Sequence, residues 1–506
     1  MTTTANADEP EDRALSGRAF HLIGVGGAGM NVVAQLLASQ GATVTGSDAH
    51  GGPAFDHLRE LGLDVSLGHD AAHVPARATV VVSTAIKDTN PELLAARQRG
   101  QEVIHRSQAL ALAAQGRAFV AVAGAHGKTT TSGMLAEALT AAGADPSFAI
   151  GGVVRALGTG AHLGSGPAFV AEADESDTSF LNYAPTIEVV TNVEPDHLDT
   201  YGTAEAFEAA FVDFAARLVP GGLLIACADD PGAHRLAVAA AGQGHRVATY
   251  GTSAAEDIPG GPVPGAEAHV RVEVTSRRGS GTSARLTRTL AESTEGAAEA
   301  STTGPVGLEL AVPGDHVALD AAGAWSAGLE LGVEPSVMAS ALAEFGGTGR
   351  RFEDRGEADG VRVVDDYAHH PTEIAALLTT AREVAAERGG RVLALFQPHL
   401  FSRTRAFAER FADALRAADV VVLAPIYPAR EAAQDLPGVT GATVADLAPG
   451  ARYVPDRLAA AQAIADDSRP GDLLLTIGAG DVTELADVVL ARLRRRESLT
   501  GETTAR

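Results

Sequence analysis

The sequence predicts an α/β protein of three consecutive domains, each built on a largely parallel sheet. Three observations carry this reading. Short apolar, β-branched runs alternate with helical patterns along the chain, as buried parallel strands joined by crossover helices would. Two of the strand-to-helix junctions are glycine-rich, near residues 24 and 124. The chain has 506 residues, enough for about three domains at roughly 150 residues each.

Taken in order, residues 20–25 read as a strand, 30–40 as a helix, and 43–47 and 80–84 as further strands. The second block opens with a strand at 119–123, followed by a glycine-rich turn and a helix over 129–142. Strands at 169–172, 188–192 and 223–226 follow. Residues 253–305 are poorly patterned, and 276–304 hold almost no large apolar side chain, so this stretch reads as a flexible hairpin excursion. The third block has strands at 361–364, 392–396, 420–423 and 473–477, with a helix over 404–417. The resulting division is a disordered tail at 1–17, domains at 18–115, 116–345 and 346–495, and a second tail at 496–506. No short-period repeat of the solenoid type is present.

Composition narrows the function. The net charge of -25 argues against a nucleic-acid partner, which wants a basic surface. The one cysteine, Cys227, excludes an internal disulfide or a cysteine zinc cluster and reads as a buried strand residue. No apolar run is long enough for a membrane span, and the first residues are too acidic and polar for a signal peptide. These features predict a cytoplasmic protein with no membrane partner.

Four motifs carry chemistry. Gly24-Val25-Gly26-Gly27-Ala28-Gly29-Met30 follows a strand and opens a helix, the context in which a backbone approaches a diphosphate. Asp48 ends the next strand, where an acidic residue can meet a ribose. Gly124-Ala125-His126-Gly127-Lys128-Thr129-Thr130-Thr131 is a shortened phosphate loop, with two residues where the usual pattern has four. Its N–H groups would cradle ATP phosphates, Lys128 would neutralise them, and Thr129 is placed to ligate magnesium. Glu172-Ala-Asp174-Glu175-Ser-Asp177 and Asn192-Val-Glu-Pro-Asp196-His197-Leu-Asp199 end two strands of the same block. Parallel strands bring both clusters to the phosphate-loop edge, where Glu172 and His197 suit a magnesium-nucleotide complex. The third block adds Arg350-Arg351, Asp365-Asp366-Tyr-Ala-His369-His370-Pro-Thr-Glu373 and Gln397-Pro-His399-Leu-Phe-Ser-Arg403, and its arginines can clamp a phosphate or carboxylate.

As an ordered set, these motifs, with Asp196-His-Leu-Asp-Thr-Tyr201 and Gly478-Ala-Gly-Asp481, resemble the Mur ligases over about residues 20–488. The resemblance implies a Rossmann-like N-terminal domain, a central P-loop ATPase-like domain and a Rossmann-like C-terminal domain that closes over the substrates. It implies ATP and Mg2+ as cofactors, and UDP-N-acetylmuramate and L-alanine as the joined substrates, in a monomer or homodimer. It assigns Gly24, Gly26, Gly27, Ala28, Gly29, Met30, Asp48, Ser83 and His399 to substrate. It assigns Gly124, Ala125, His126, Gly127, Lys128, Thr129, Thr130, His316 and Asp366 to ATP, and Thr129, Glu172 and His197 to the metal. Lys128, Glu172, His197, Arg351, His370 and Arg403 become the catalytic candidates, with His197 or His370 as the base for the incoming amine. Val317 and Asp320 depart from the family's His-Asn-x-x-Asn pattern for adenine, Ala125 replaces a threonine, and Leu400 replaces an arginine. Three alternatives stand beside this reading: a recycling ligase adding a tripeptide, an NAD-dependent oxidoreductase, and a non-catalytic nucleotide-binding protein.

Overall fold

The structure is a computed structural model that describes residues 14–291 and 304–504. It holds three sheets, one for each block read from the sequence. The first contains β1 (Ala19–Ile23), β2 (Thr43–Asp48), β3 (Asp64–Leu67), β4 (Thr79–Val82) and β5 (Val103–His105). All pairs are parallel, in the order β3-β2-β1-β4-β5. The chain changes direction across the sheet between β1 and β4, which opens a crevice at their C-terminal ends.

The second sheet has ten strands. They are β6 (Ala118–Ala123), β7 (Ser147–Val154), β8 (Thr159–His162), β9 (Ala168–Glu172), β10 (Ile187–Val190), β11 (Leu223–Cys227), β12 (Arg246–Gly251), β13 (Ala268–Arg278), β14 (Gly281–Leu290) and β15 (Val306–Leu310). The order is β15-β14-β13-β12-β11-β10-β6-β9-β7-β8. β6 lies between β10 and β9 and is parallel to both, so the loop leaving it again sits at a crossover point. Strands β6, β10 and β11 are buried on both faces, and their sequences are accordingly near-continuous apolar runs.

The third sheet holds β16 (Glu353–Ala358), β17 (Val361–Asp366), β18 (Val392–Phe396), β19 (Val420–Leu423), β20 (Arg452–Tyr453) and β21 (Leu473–Ile477), ordered β16-β17-β21-β18-β19-β20. Only the β16–β17 hairpin is antiparallel.

The described residues divide into two compact units. Among the described residues, one draws on 14–270, 288–291 and 323–338, the other on 271–287, 304–322 and 339–504. In the first unit a single apolar core runs from Phe20 and Val33 to Phe211 and Val247, so the first two sheets share a core. Residues 276–290, read from the sequence as part of a flexible excursion, are largely strand. Thr282, Ala284 and Leu286 are buried at alternate positions there. The period of two is carried by small side chains, which hid it from a hydrophobicity reading. Residues 292–303 of that stretch lie outside the described residues, as do residues 1–13 of the expected N-terminal tail and residues 505–506. Residues 496–504, expected as a tail, continue the helix Leu485–Thr504. Among the described residues, no helix is long and apolar enough to cross a membrane.

Candidate active site

The glycine loop after β1 is held from behind by β2. Gly24 takes a left-handed conformation (φ +81°). The Gly24 and Val25 N–H groups donate to the Ser47 carbonyl at 2.7 and 2.9 Å. Gly26 N–H donates to Asp48 Oδ2 at 2.9 Å, and a Cβ at Gly26 would lie 3.0 Å from that oxygen. Gly27 then caps the helix Ala28–Ser39 without a side-chain bond, leaving first-turn N–H groups and the positive helix end for an anion. Met30 is buried in the core and Ser83 is half-buried just beyond β4. The loop carries a cation as well. Arg106, the first residue of the helix Arg106–Ala113, lies so close over Gly29 that a Cβ there would sit 2.3 Å from Nη1. Its Nη2 donates to Asp174 Oδ2 at 3.0 Å.

The second loop leaves β6 and enters the helix Lys128–Ala141. Gly127 caps that helix in a left-handed conformation (φ +81°). Gly124 has φ +134°, and a Cβ there would come within 2.2 Å of Thr191 Oγ1, so only glycine fits. Asn192 clamps the loop: His126 N–H donates to its Oδ1 at 3.1 Å, and its Nδ2 donates to the His126 carbonyl at 3.0 Å. His126 Nε2 also pairs with Glu194 at 3.3 Å. Lys128 Nζ folds back to donate to the Gly124 carbonyl at 2.5 Å and to Glu175 Oε1 at 3.0 Å. Thr130, in the first turn of the helix, is half-buried.

Carboxylates surround Lys128. Burial would lower the pKa of its ammonium, but Glu175 and Asp174 outweigh that and raise it. Burial likewise works against charge on Asp174, yet the Arg106 and Lys128 cations hold its carboxyl at about 2. Glu172 accepts from Gly151 N–H at 2.8 Å, and Thr129 packs its methyl near Gly152, so both flank one stretch of β7. His197 has φ +51°, and its Nε2 lies 3.7 Å from both Glu175 and Asp196. Its Nδ1 is buried with no hydrogen-bond partner among the described residues. The Glu172 carboxylate and the Thr129 hydroxyl are oxygen donors of the kind a hard divalent cation takes, and the His197 imidazole stands by the same phosphate loop through Glu175.

The other unit arranges the remaining candidates. Asp366 ends β17 and accepts from Phe352 N–H at 2.7 Å and Ala368 N–H at 2.8 Å. Burial pushes its carboxyl up to about 6, against the pull of Arg351. The Arg351 guanidinium lies 5.2 Å over the Tyr367 ring and 3.5 Å from Glu373. His370 is fully buried and caps the helix Pro371–Glu387 in a reciprocal box with Glu373. His399 stacks on Tyr427 at 5.8 Å and meets His369 edge-on at 5.9 Å. Arg403 is buried in the short helix Phe401–Ala406. His316 is exposed, with its ring beside Gly314. This unit thus gathers Arg351, His369 and His399 around a tyrosine pair.

Sequence reasoning assigned no role to Arg106, Glu175 or Asn192. Arg106 belongs to no recognisable motif. Glu175 and Asn192 stand inside motifs already quoted, and their nearness to Lys128 and His126 depends on three strands meeting at one edge.

Three family models match in succession: Mur ligase family, catalytic domain, over residues 19–118; Mur ligase middle domain over 122–324; and Mur ligase, glutamate ligase domain, over 350–480. The chain is 56% identical over 485 residues to a UDP-N-acetylmuramate–L-alanine ligase of Kineococcus radiotolerans, covering 94% of this chain and 96% of that one. It is 46% identical over 493 residues to the ligase of the same name from Mycobacterium avium, covering 94% and 95%. Among solved structures it is similar to the UDP-N-acetylmuramate-alanine ligase of Thermotoga maritima (TM-score 0.72, 27% identity, 95% of this chain and 99% of that one). It is also similar to a murein peptide ligase of Psychrobacter arcticus (TM-score 0.66, 25% identity, 94% and 99%).

Proposed function

Since the chain belongs to the Mur ligase family, we propose that it joins L-alanine to the lactyl carboxylate of UDP-N-acetylmuramate, with ATP converted to ADP and phosphate. The observation that carries this is near-full-length identity to ligases of that name. The loop geometry supports it, with a glycine loop and a phosphate loop in one compact unit. On this reading residues 18–115 hold the sugar nucleotide, 116–345 the ATP and 346–495 the amino acid, and the reaction takes place in the cytoplasm.

The glycine loop and the Arg106 guanidinium receive the diphosphate of the sugar nucleotide, and Asp48 the ribose. Gly124 to Thr130 wrap the ATP phosphates. Thr129, Glu172 and His197 would hold Mg2+, which when bound neutralises phosphate charge. A lactyl carboxylate oxygen attacks the γ-phosphorus, the bond to the ADP oxygen breaks, and an acyl phosphate forms. Lys128 offsets the charge on the transferring group. The neutral amine of L-alanine then attacks the acyl carbon, the tetrahedral adduct loses phosphate, and the amide remains. His197 or His370 takes the amine proton. Arg351, His370 and Arg403 would face the phosphates or the amino acid, His399 would meet the substrate, and Asp366 would meet the ATP ribose.

The test is ADP release from ATP and magnesium with UDP-N-acetylmuramate plus L-alanine, a tripeptide or neither. The expected result is turnover only with sugar and L-alanine together, lost in Lys128→Ala. Turnover with sugar and tripeptide but not with sugar and L-alanine moves the protein to the recycling branch, and turnover without sugar sinks the ligase reading.

A further inference from the structure

Behind the glycine loop lies a buried carboxylate that the reaction does not use. Glu92, in the first turn of the helix Pro91–Gln98, is fully buried. Its oxygens accept from the Ser47 hydroxyl and from Asp70 N–H at 3.1 Å. Three imidazoles surround them: His73 Nδ1 at 3.1 Å, His21 Nε2 at 3.4 Å and His69 Nδ1 at 3.5 Å. His21 comes from β1, Ser47 from the end of β2, and His69 to His73 from the chain after β3. His21 and His69 have second partners in Thr45 (2.8 Å) and Ser47 (2.9 Å). Burial pushes the Glu92 carboxyl up, but the His21, Ser47 and Asp70 bonds prevail and hold it at about 2.

A buried charge is an expensive way to fill space. Neighbouring positions, Ile23 and Val80 on the same sheet, Leu93 on the same helix and Val74 in the turn after β3, form an apolar cluster. A well-packed apolar side chain at 92 would stabilise the domain as well or better. What the carboxylate supplies instead is direction. It fixes Ser47, whose own carbonyl takes the Gly24 and Val25 N–H groups, while the next residue, Asp48, takes that of Gly26.

We propose that Glu92 is a positioning residue for the sugar nucleotide: through Ser47 it sets the end of β2, and so the backbone bonds that hold the glycine loop in shape for a diphosphate. The proposal rests on reading that loop as the UDP site. UDP itself is therefore the probe, titrated calorimetrically into the wild type, Glu92→Gln, Glu92→Met and Ser47→Ala, alongside steady-state kinetics. In Glu92→Met the Ser47 hydroxyl and Asp70 N–H lose their acceptor. UDP affinity should fall and KM for the sugar nucleotide rise by about tenfold, the size that slight misplacement produces. Glu92→Gln keeps an acceptor and should recover most of that loss. KM for ATP and kcat at saturating sugar should stay within about twofold, because uniform binding is what has been weakened. Ser47→Ala should weaken UDP binding in the same direction, and combining it with Glu92→Met should add little further loss, since the two act through one bond.

Unchanged UDP affinity in a folded Glu92→Met protein overturns the proposal, as does an equal rise in KM for ATP, which would mark a general structural role. If Glu92→Met does not fold, Ser47→Ala decides: unchanged UDP affinity there overturns it. A wild type that does not bind UDP overturns the reading of the loop itself, whereas wild-type binding matched by all the variants overturns the role of Glu92 alone.

Discussion

Replacing Glu188 with glutamine should remove a slope from the pH dependence of stability. Glu188 lies within β10, in register with Ala121 of β6 and Leu224 of β11. It is fully buried, and neither carboxylate oxygen has a hydrogen-bond partner among the described residues. Burial raises its pKa well above the ordinary glutamate value. In the unfolded chain the group titrates near pH ~4.3. Between that pH and the raised folded pKa, the native state keeps a proton that the unfolded state has released. Stability is then fullest at acid pH and falls as pH rises, by about 1.4 kcal/mol per pH unit from this one group. As pH rises from the ordinary glutamate range toward the raised folded pKa, the wild type should therefore lose up to about 1.4 kcal/mol per pH unit relative to Glu188→Gln, or roughly 2 °C in melting temperature. Trp325, the single tryptophan, is buried in the same compact unit, so its fluorescence reports the relevant transition. Glu188→Met removes the buried polar group and should raise stability at pH 7 by about 1–3 kcal/mol. Parallel pH curves for the wild type and Glu188→Gln would refute the reasoning, because Glu188 would then carry the same proton in both states.

Arg106→Ala should raise KM for the sugar nucleotide by about 10- to 100-fold, the worth of a charge-assisted bond, and Arg106→Lys should restore part of it; an unchanged KM would remove Arg106 from the site. Burial pushes the Cys227 thiol up to about 12, so native protein at pH 8 should resist thiol-disulfide reagents until it unfolds. Rapid stoichiometric labelling of the native protein would contradict that burial.

Both glycine loops were legible in the sequence because their signals are local. A strand, a glycine-rich turn and a helix follow one another without a break over 19–39 and again over 118–141, and the left-handed turns at Gly24 and Gly127 are what those glycines permit. The three sheets were legible for a similar reason, since strands such as β6, β10 and β18 are apolar runs bounded by turns. The Glu92 hub was not legible. It joins residues 71 positions apart in sequence, His21 and Glu92, and each of its histidines alone looks like an ordinary structural residue. Arg106 was missed because its meaning lies in Gly29 and Asp174, which the fold brings to it from two different sheets. The β13–β14 strands were only partly legible: the stretch read as a hairpin excursion, but Thr282 and Ala284 stand beside Leu286 at its inward positions, where a strand usually announces itself with larger groups.

The contact between Lys128 and Glu175 makes the protein its own competitor. Glu175 is almost entirely buried and holds the ammonium at 2.9 Å, so any phosphate that takes Lys128 must first displace an internal anion. On the proposed function, part of the attraction for ATP would be consumed in that exchange, which would cap the affinity of the loop. The same carboxylate would be waiting when the reaction is over. By recapturing the lysine it would ease the departure of ADP, so tight binding would be exchanged for turnover within a single side-chain pair.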